Sequence, residues 1–462
     1  MLTPAEVKAQ RIPILREVDL LVAGGGTAGA IAAIAGARQG VRTLVVEQLG
    51  FLGGTQTGAL VTPMMPNQIE RQPLNGGLDA EINRTLNTMH ESGVWKDGNR
   101  GWFNPEMLKV VLERKALAAG AELLYFAFIE DAIVENGAVR GAVVACKGGR
   151  RAILAARTLD CSGDGDLAAA AGVPYESGDP GSGRNQPFSV RFQLGNVDLG
   201  QLAAFLQQLP APDVMSESEG SAVPLLHTAM VWGRNWPLEP LFRRAVAAGV
   251  LQEQDGDYFQ VFSMAGRPGE LAFNCPRISE RTDGTDPFDL TRALCHGREA
   301  ILRYLAFCRE YLPGCAQAYL VATAPMVGVR ESRRILGEYY LTEADVLGCR
   351  KFEDAIARNN YPIDIHQTGS EKLKLVHLPA GGYHEIPYRC LVPRGVDDLL
   401  VAGRCLSAAF AAQGSVRIQS NCRAMGEAAA VAAVISLRRG VAPRAIDTLE
   451  LRRELLALGA SL

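Results

Sequence analysis

An α/β fold is what this sequence predicts, and three observations carry the prediction. An apolar run, Val18-Asp19-Leu20-Leu21-Val22-Ala23, delivers the chain to Gly24-Gly25-Gly26-Thr27-Ala28-Gly29, behind which an Ala-rich helix opens. A second apolar run, Val41 to Val46, ends on Glu47. Far along the chain, Asp397-Asp398-Leu399-Leu400-Val401-Ala402-Gly403-Arg404 repeats the strand-to-glycine pattern. Strand, glycine turn, helix and strand in this order describe a Rossmann-like unit.

Each part of the first unit has a mechanical job. Gly24 permits the tight turn, Gly26 lets the backbone reach a pyrophosphate, and Gly29 with Ala33 lets helix and strand pack closely. Thr27 and Ala28 open the helix, whose unpaired N–H groups face phosphate charge. Glu47, at the tip of the second strand, accepts ribose hydroxyls and would repel a 2′-phosphate, which favours FAD or NAD over NADP. Two other readings compete: a tight turn with no ligand, and a membrane helix, because Leu20 to Ala37 carries no charge. The glycines in that stretch make a poor lipid-facing helix, and the turn-helix reading explains their placement.

The glycine-rich loop Leu49 to Gly58, with Gly53, Gly54 and Thr55, reads as backbone passing close under a cofactor. Asn104-Pro105-Glu106 starts a helix that Gly120 stops. Three β-rich runs follow, Leu123 to Glu135, Ala138 to Cys146 and Arg151 to Leu159, separated by Asn136-Gly137 and Gly148-Gly149. They predict an antiparallel meander inserted into the nucleotide-binding domain. The last run leads into Asp160-Cys161-Ser162-Gly163-Asp164-Gly165-Asp166-Leu167, a strand end, a glycine turn and a new helix. From about Tyr175 polar, Gly and Pro clusters (Glu176 to Pro187, Ala211 to Ser221, Arg281 to Pro287) separate the strand-like Phe188 to Leu194 and the helix-like Leu290 to Tyr311. The chain finishes with Gln413-Gly414-Ser415-Val416-Arg417 and a small-residue helix from about Asn421. The simplest organisation is a nucleotide-binding domain built from 1–175 and 385–462, with an α+β substrate domain, 176–384, between its halves.

Composition sets the outer limits. A chain of 462 residues, 48% hydrophobic and 21% charged, is an ordinary globule with room for a large core. With 47 basic and 50 acidic residues, the net charge of −3 offers no footprint for nucleic acid or an anionic membrane. Met1 to Arg16 contains charges and a proline where a signal peptide would place an apolar segment. The ten cysteines are scattered singly. Without C-x-x-C or zinc-like spacing they predict reduced thiols, a cytoplasmic location and no metal site. A homo-oligomer is compatible with all of this.

These blocks resemble the FAD-dependent oxidoreductases of the glutathione-reductase-like superfamily, in the branch known only as "FAD-dependent oxidoreductase". The resemblance rests on Gly24 to Gly29, Leu52-Gly53-Gly54-Thr55, Ser162 to Leu167, Gly328-Val329-Arg330-Glu331-Ser332-Arg333-Arg334-Ile335, Leu400 to Ser407 and Gly414 to Arg417, in the family's order. It implies that the first turn and Glu47 hold the ADP half of FAD, with the Gly53-Gly54 loop beneath pyrophosphate and ribityl chain. Gly163 and Asp164 would touch the adenine side, Gly403 and Arg404 the ribityl and pyrophosphate. The terminal block, Gly414, Ser415 and Arg417, would lead into a helix aimed at the flavin pyrimidine edge, where reduction leaves negative charge.

Catalytic candidates are fewer. Arg330, Arg333 and Arg334 form a basic cluster which, on a helix, brings Arg330 and Arg334 to one face. Arg330 then anchors a substrate carboxylate or the flavin, or else the run is a salt-bridged helix with Glu331 and Glu338. His366 and His384 fall in loop-like segments leading back to the nucleotide-binding domain. Either would accept a proton as a hydride leaves, given an imidazole near neutrality, and Asp364 would orient His366. Tyr383, Tyr388 and Arg389 read as pocket walls. The expected function is hydride removal from a small hydroxy or amino compound to FAD, with an unassigned electron acceptor. The alternatives are a flavin-dependent isomerase or dehydratase, a flavin binder without net oxidation, and an NAD-only dehydrogenase.

Overall fold

Leu20 to Ala23 are fully buried in strand β1 (Ile14–Ala23), as is all of β2 (Thr43–Glu47), the continuous burial required of central parallel strands. Between them runs helix α1 (Thr27–Arg38). The computed structural model describes residues 11–95, 100–209, 218–219, 226–229, 236–366 and 373–462. The polar cluster read over Ala211 to Ser221 lies outside these except at its Ser218-Glu219 strand.

One seven-stranded sheet organises the nucleotide-binding side. With β3 (Glu122–Tyr125), β4 (Ala127–Glu135), β5 (Ala138–Cys146) and β6 (Gly149–Asp160), its order is β3-β2-β1-β6-β5-β4. Strand β6 changes company along its length: its first half pairs antiparallel with β5, and its end pairs parallel with Leu399–Val401. Its other edge lies parallel to β1 throughout. The three expected runs are therefore four strands. The first run breaks at Phe126, which has φ +56°, so that β3 joins the parallel sheet beside β2 and only β4 enters the meander.

Close approach explains the small residues of α1. A Cβ on Gly29 would stand 1.8 Å from the Gly24 carbonyl oxygen, and one on Gly426 would stand 2.1 Å from that of Ala28. The second contact seats the long helix Gln419–Arg439 directly on α1; it starts two residues before the expected Asn421. Leu341, Val346, Ile356, Ile363 and Ile386 pack into this same core.

A second core stands on a five-stranded antiparallel sheet in the order Leu226–Ala229, Phe259–Ser263, Leu271–Phe273, Phe192–Gly195, Tyr319–Thr323. Helix Pro287–Tyr311 covers it, its start capped by the Asp286 carboxylate accepting from the Phe288 amide at 2.7 Å. Phe192 and Phe273 stack at 4.3 Å in this core, and Phe242, Phe259 and Phe307 pack beside them. No helix among the described residues is long and apolar enough to cross a membrane.

Candidate functional site

A cleft of about 640 Å³ runs between the two cores, a size within the range of cofactor and small-molecule sites. At one end it is walled by the first glycine turn. Gly26 caps α1 with no side chain, so the amides of the first turn face the cleft. Glu47 is 6% exposed; its Oε2 accepts the Gly25 amide and its Oε1 the Leu49 amide, both at 2.8 Å. Burial pushes its carboxyl above the usual range, against these amides. The two glycine loops are laced together: Gly53 N–H donates to the Gly25 carbonyl at 2.9 Å, and Thr27 Oγ1 donates to the Gly53 carbonyl at 3.2 Å.

The Gly163 turn is built just as tightly. Asp160, fully buried at the end of β6, accepts the Ser162 amide at 3.0 Å, the Ser162 hydroxyl at 2.6 Å and the Ala168 amide at 2.8 Å. Arg404 lines the cleft, yet its guanidinium donates to the Gly163 carbonyl at 3.1 Å, the Val329 carbonyl at 2.6 Å and the Asp164 carboxylate at 2.8 Å. Its part is to hold that wall in shape.

The other end is cationic and polar. Arg191, Tyr258, Gln260, Asn274, Arg330, Tyr361, Asp364, His366 and Arg417 all line it. His366 lies between two partners: Arg277 Nη2 stands 2.6 Å from Nδ1 and Asp364 Oδ1 stands 3.4 Å from Nε2. Guanidinium only donates, so Nδ1 accepts and Nε2 carries the proton toward Asp364. Burial first, then the Arg330 charge, pushes the His366 imidazolium down to about 3. The ring is a neutral imidazole rather than the near-neutral titrating group expected from sequence. Burial opposes ionisation of Asp364, but His366, Arg417 and Arg330 hold its carboxyl well below the usual range.

Of the expected cofactor residues, Gly24, Gly26, Thr27, Ala28, Glu47, Gly54, Thr55, Gly163, Asp164, Gly403, Arg404 and Arg417 meet along this cleft, together with Arg330 and His366. Gly29 and Gly53 stand behind its wall as packing positions. Gly414 and Ser415 lie in helix Phe410–Val416 behind the Tyr361–Asp364 segment: a Gly414 Cβ would stand 3.0 Å from the Asp364 carbonyl, and Ser415 Oγ donates to the Tyr361 carbonyl at 2.6 Å. His384 is fully buried away from the cleft, with Nε2 accepting from Asn359 at 2.8 Å and Nδ1 3.2 Å from the Glu385 carbonyl.

Several local expectations are corrected. Both histidines sit in strands, Ile363–His366 and His384–Pro387, rather than loops. The Arg330 to Arg334 run is extended, because Arg333–Ile335 pairs antiparallel with Tyr175–Ser177, and extended backbone scatters the three guanidiniums. Arg333 turns to Asp166 and Arg334 to Glu331; only Arg330 enters the cleft. Glu338 pairs with Arg444 instead. Tyr388 donates to the Pro443 carbonyl at 2.9 Å and Arg389 pairs with Asp354 at 2.9 Å, so neither is a pocket wall. Sequence reasoning missed Arg191, Tyr258, Gln260, Asn274 and Arg277. A lone arginine inside the apolar run Phe188 to Leu194 was the available signal for the first.

The residues present fit a long dinucleotide cofactor. Backbone approaches unhindered at Gly26 and Gly54, where a Gly54 Cβ would stand 2.8 Å from the Gly26 Cα. Farther along, Arg417 Nε and Gln419 Oε1 have no hydrogen-bond partner within the protein while both residues line the cleft.

Comparison with known proteins agrees. The family model described as FAD dependent oxidoreductase matches residues 19–455. Thiamine thiazole synthases are similar over a shorter stretch: that of Methanococcus vannielii is 34% identical over 133 residues, 28% of this chain and 47% of that protein. That of Aeropyrum pernix is 37% identical over 127 residues, 27% of this chain and 43% of the relative. The chain thus spans about half the length of these curated relatives. Among solved structures, p-nitrophenol 4-monooxygenase of Pseudomonas putida superposes with a TM-score of 0.50 at 12% identity, covering 96% of this chain and 84% of that one, which is a likeness of fold.

Proposed function

The chain belongs to the FAD-dependent oxidoreductase family and is an FAD-dependent enzyme, and from that premise we propose that it removes a hydride from a small polar hydroxy or amino compound. Its affinities lie with the glutathione-reductase-like branch. The segments 1–175 and 385–462 supply the cofactor-binding domain and 176–384 the substrate domain. FAD, when bound, accepts the hydride. One observation carries the reading: a neutral imidazole, His366, opens on the same cleft whose far end is the Glu47 and glycine-turn nucleotide cradle.

The protein's own residues divide the remaining work. Asp364 fixes the His366 tautomer through Nε2, which leaves Nδ1 as the basic nitrogen. Arg277 rests on that nitrogen, so a substrate hydroxyl or amine reaches it by taking the place of Arg277. As the hydride leaves, Nδ1, made more basic once Arg277 has moved off it, takes the proton and Asp364 steadies the imidazolium. Arg330 orients the substrate beside it.

Purified protein should be yellow, and anaerobic addition of alcohols, amines and hydroxy acids should bleach the flavin band for some of them. A yellow protein that no such compound reduces, or that interconverts a substrate without net reduction, counts against the oxidation reading and for an isomerase or dehydratase.

A further inference from the structure

Four guanidiniums converge on the His366 end of the cleft, those of Arg191, Arg277, Arg330 and Arg417, with the Asp364 carboxylate among them and the Asp257 charge also acting on Arg277. The Asp364 carboxylate is already shared. Its Oδ2 accepts from Tyr361 at 3.1 Å and lies 3.4 Å from Arg417 Nη2, while Oδ1 faces His366. Arg277 lies against Nδ1 of His366 and over the Tyr258 ring at 4.9 Å.

Arg191 and Arg330 have no carboxylate in direct contact, although the Asp364 charge is felt at Arg330. Both are buried, at 5% and 8% exposure. Arg191 Nη1 reaches the Leu60 carbonyl at 3.5 Å and its Nε has no hydrogen-bond partner. Arg330 Nη1 donates to the Pro187 carbonyl at 2.5 Å. Among the described residues, no carboxylate lies within 4.0 Å of either guanidinium. Burying a cation without a directly paired carboxylate is costly to folding, so two such cations facing one cleft mark the seat of an anion that arrives from outside. A dinucleotide's phosphates are met at the opposite end, at the start of α1.

We propose that the substrate is a hydroxy or amino carboxylate whose carboxylate sits on Arg191 and Arg330. This rests on the oxidation reading above and names its substrate class. The planar fork of arginine matches a carboxylate's two oxygens. Gln260 and Asn274, joined by a 2.7 Å hydrogen bond with Asn274 Oδ1 still unpartnered, offer neutral contacts to the rest of the molecule. In the reaction the substrate C–H bond breaks with its electron pair going to FAD as hydride. The hydroxyl or amine proton goes to His366 Nδ1, and the new C=O or C=N bond gives the oxo or imino acid.

The test is titration of the flavin-loaded protein with glycolate, lactate and tartrate, with the neutral glycolamide, and with inorganic phosphate, followed by flavin absorbance and by calorimetry. At least one acid should bind tenfold or more tightly than glycolamide and phosphate, and Arg191→Met and Arg330→Met should each weaken that acid by 30-fold or more. Both Met variants should unfold at the same or a higher temperature than the parent when no ligand is present, because an unpaired buried charge has been removed; a purely structural arginine would lower it. Lysine at either position should recover part of the affinity.

Equal affinity for acid and amide, tighter binding of phosphate, or no binding of any acid overturns the assignment. So does a pair of Met variants that shift the flavin midpoint potential while carboxylate affinity stays intact, since the arginines would then serve the cofactor. Protein that takes up no flavin yet binds the acids by calorimetry sinks the oxidation reading and leaves the anion seat standing.

Discussion

His366 and His384 have the same chemistry and opposite placements. Burial pushes both imidazoliums down, to about 3 and about 4. Below the ordinary 6.5 the unfolded chain takes up protons at these rings that the folded chain refuses, so stability is fully present above 6.5 and falls as the pH drops toward 4. Each ring contributes up to about 1.4 kcal/mol per pH unit in that window. His384→Gln should therefore flatten the acid limb of a melting-temperature profile while leaving the flavin spectrum and substrate reduction unchanged. His366→Asn should keep its flavin but slow reduction by about 10²–10⁴-fold, the usual worth of a positioned base. Stopped-flow bleaching reads this directly, and a rate within a factor of three of the parent would remove His366 from the proton's path. Since His366 stays neutral down to about 3, kcat/KM should show no acid limb from this ring between pH 5 and 8.

At the scale of elements, what could be read in advance was whatever a local backbone demanded. The turn from β1 into α1 must be glycine because carbonyl oxygens stand where a Cβ would go, and that demand is written in consecutive residues. Asn104 as a cap is equally local, its side chain accepting the Glu106 amide at 3.0 Å. The Arg330 to Arg334 run carried helix-like spacing, but the hydrogen bonds that decided its shape come from Tyr175–Ser177, about 160 residues away. Arg191, Tyr258, Gln260 and Asn274 share a wall only because three strands of the second sheet and the turn before them close on the first core. Nothing in their sequence spacing could announce that. The seam between α1 and the helix Gln419–Arg439 gives a test of element packing. Gly426→Ala drives a methyl against the Ala28 carbonyl, backbone that cannot step aside. A loss of about 2–3 kcal/mol and an earlier release of flavin on heating should follow.

For the whole molecule, two separate cores predict two separable kinds of damage. Phe259 is fully buried in the second core, flanked by Phe242, Phe273 and Phe307. Phe259→Ala should cost about 3–5 kcal/mol in urea unfolding, with the flavin band of the folded protein unaltered, because none of these rings lines the cleft. Loss of bound flavin in the native baseline would show that the two cores are less independent than their contacts suggest. The order of the chain adds a constraint in time. The cleft starts with β1 and the glycine turn, yet Leu399–Val401 must dock on β6 and the helix Gln419–Arg439 must lie across α1 before it is closed. A ribosome releases the first of these pieces some 400 residues before the last. The nascent chain must therefore wait, half-walled, for these later segments, and capture of the prosthetic group follows the docking of Gln419–Arg439.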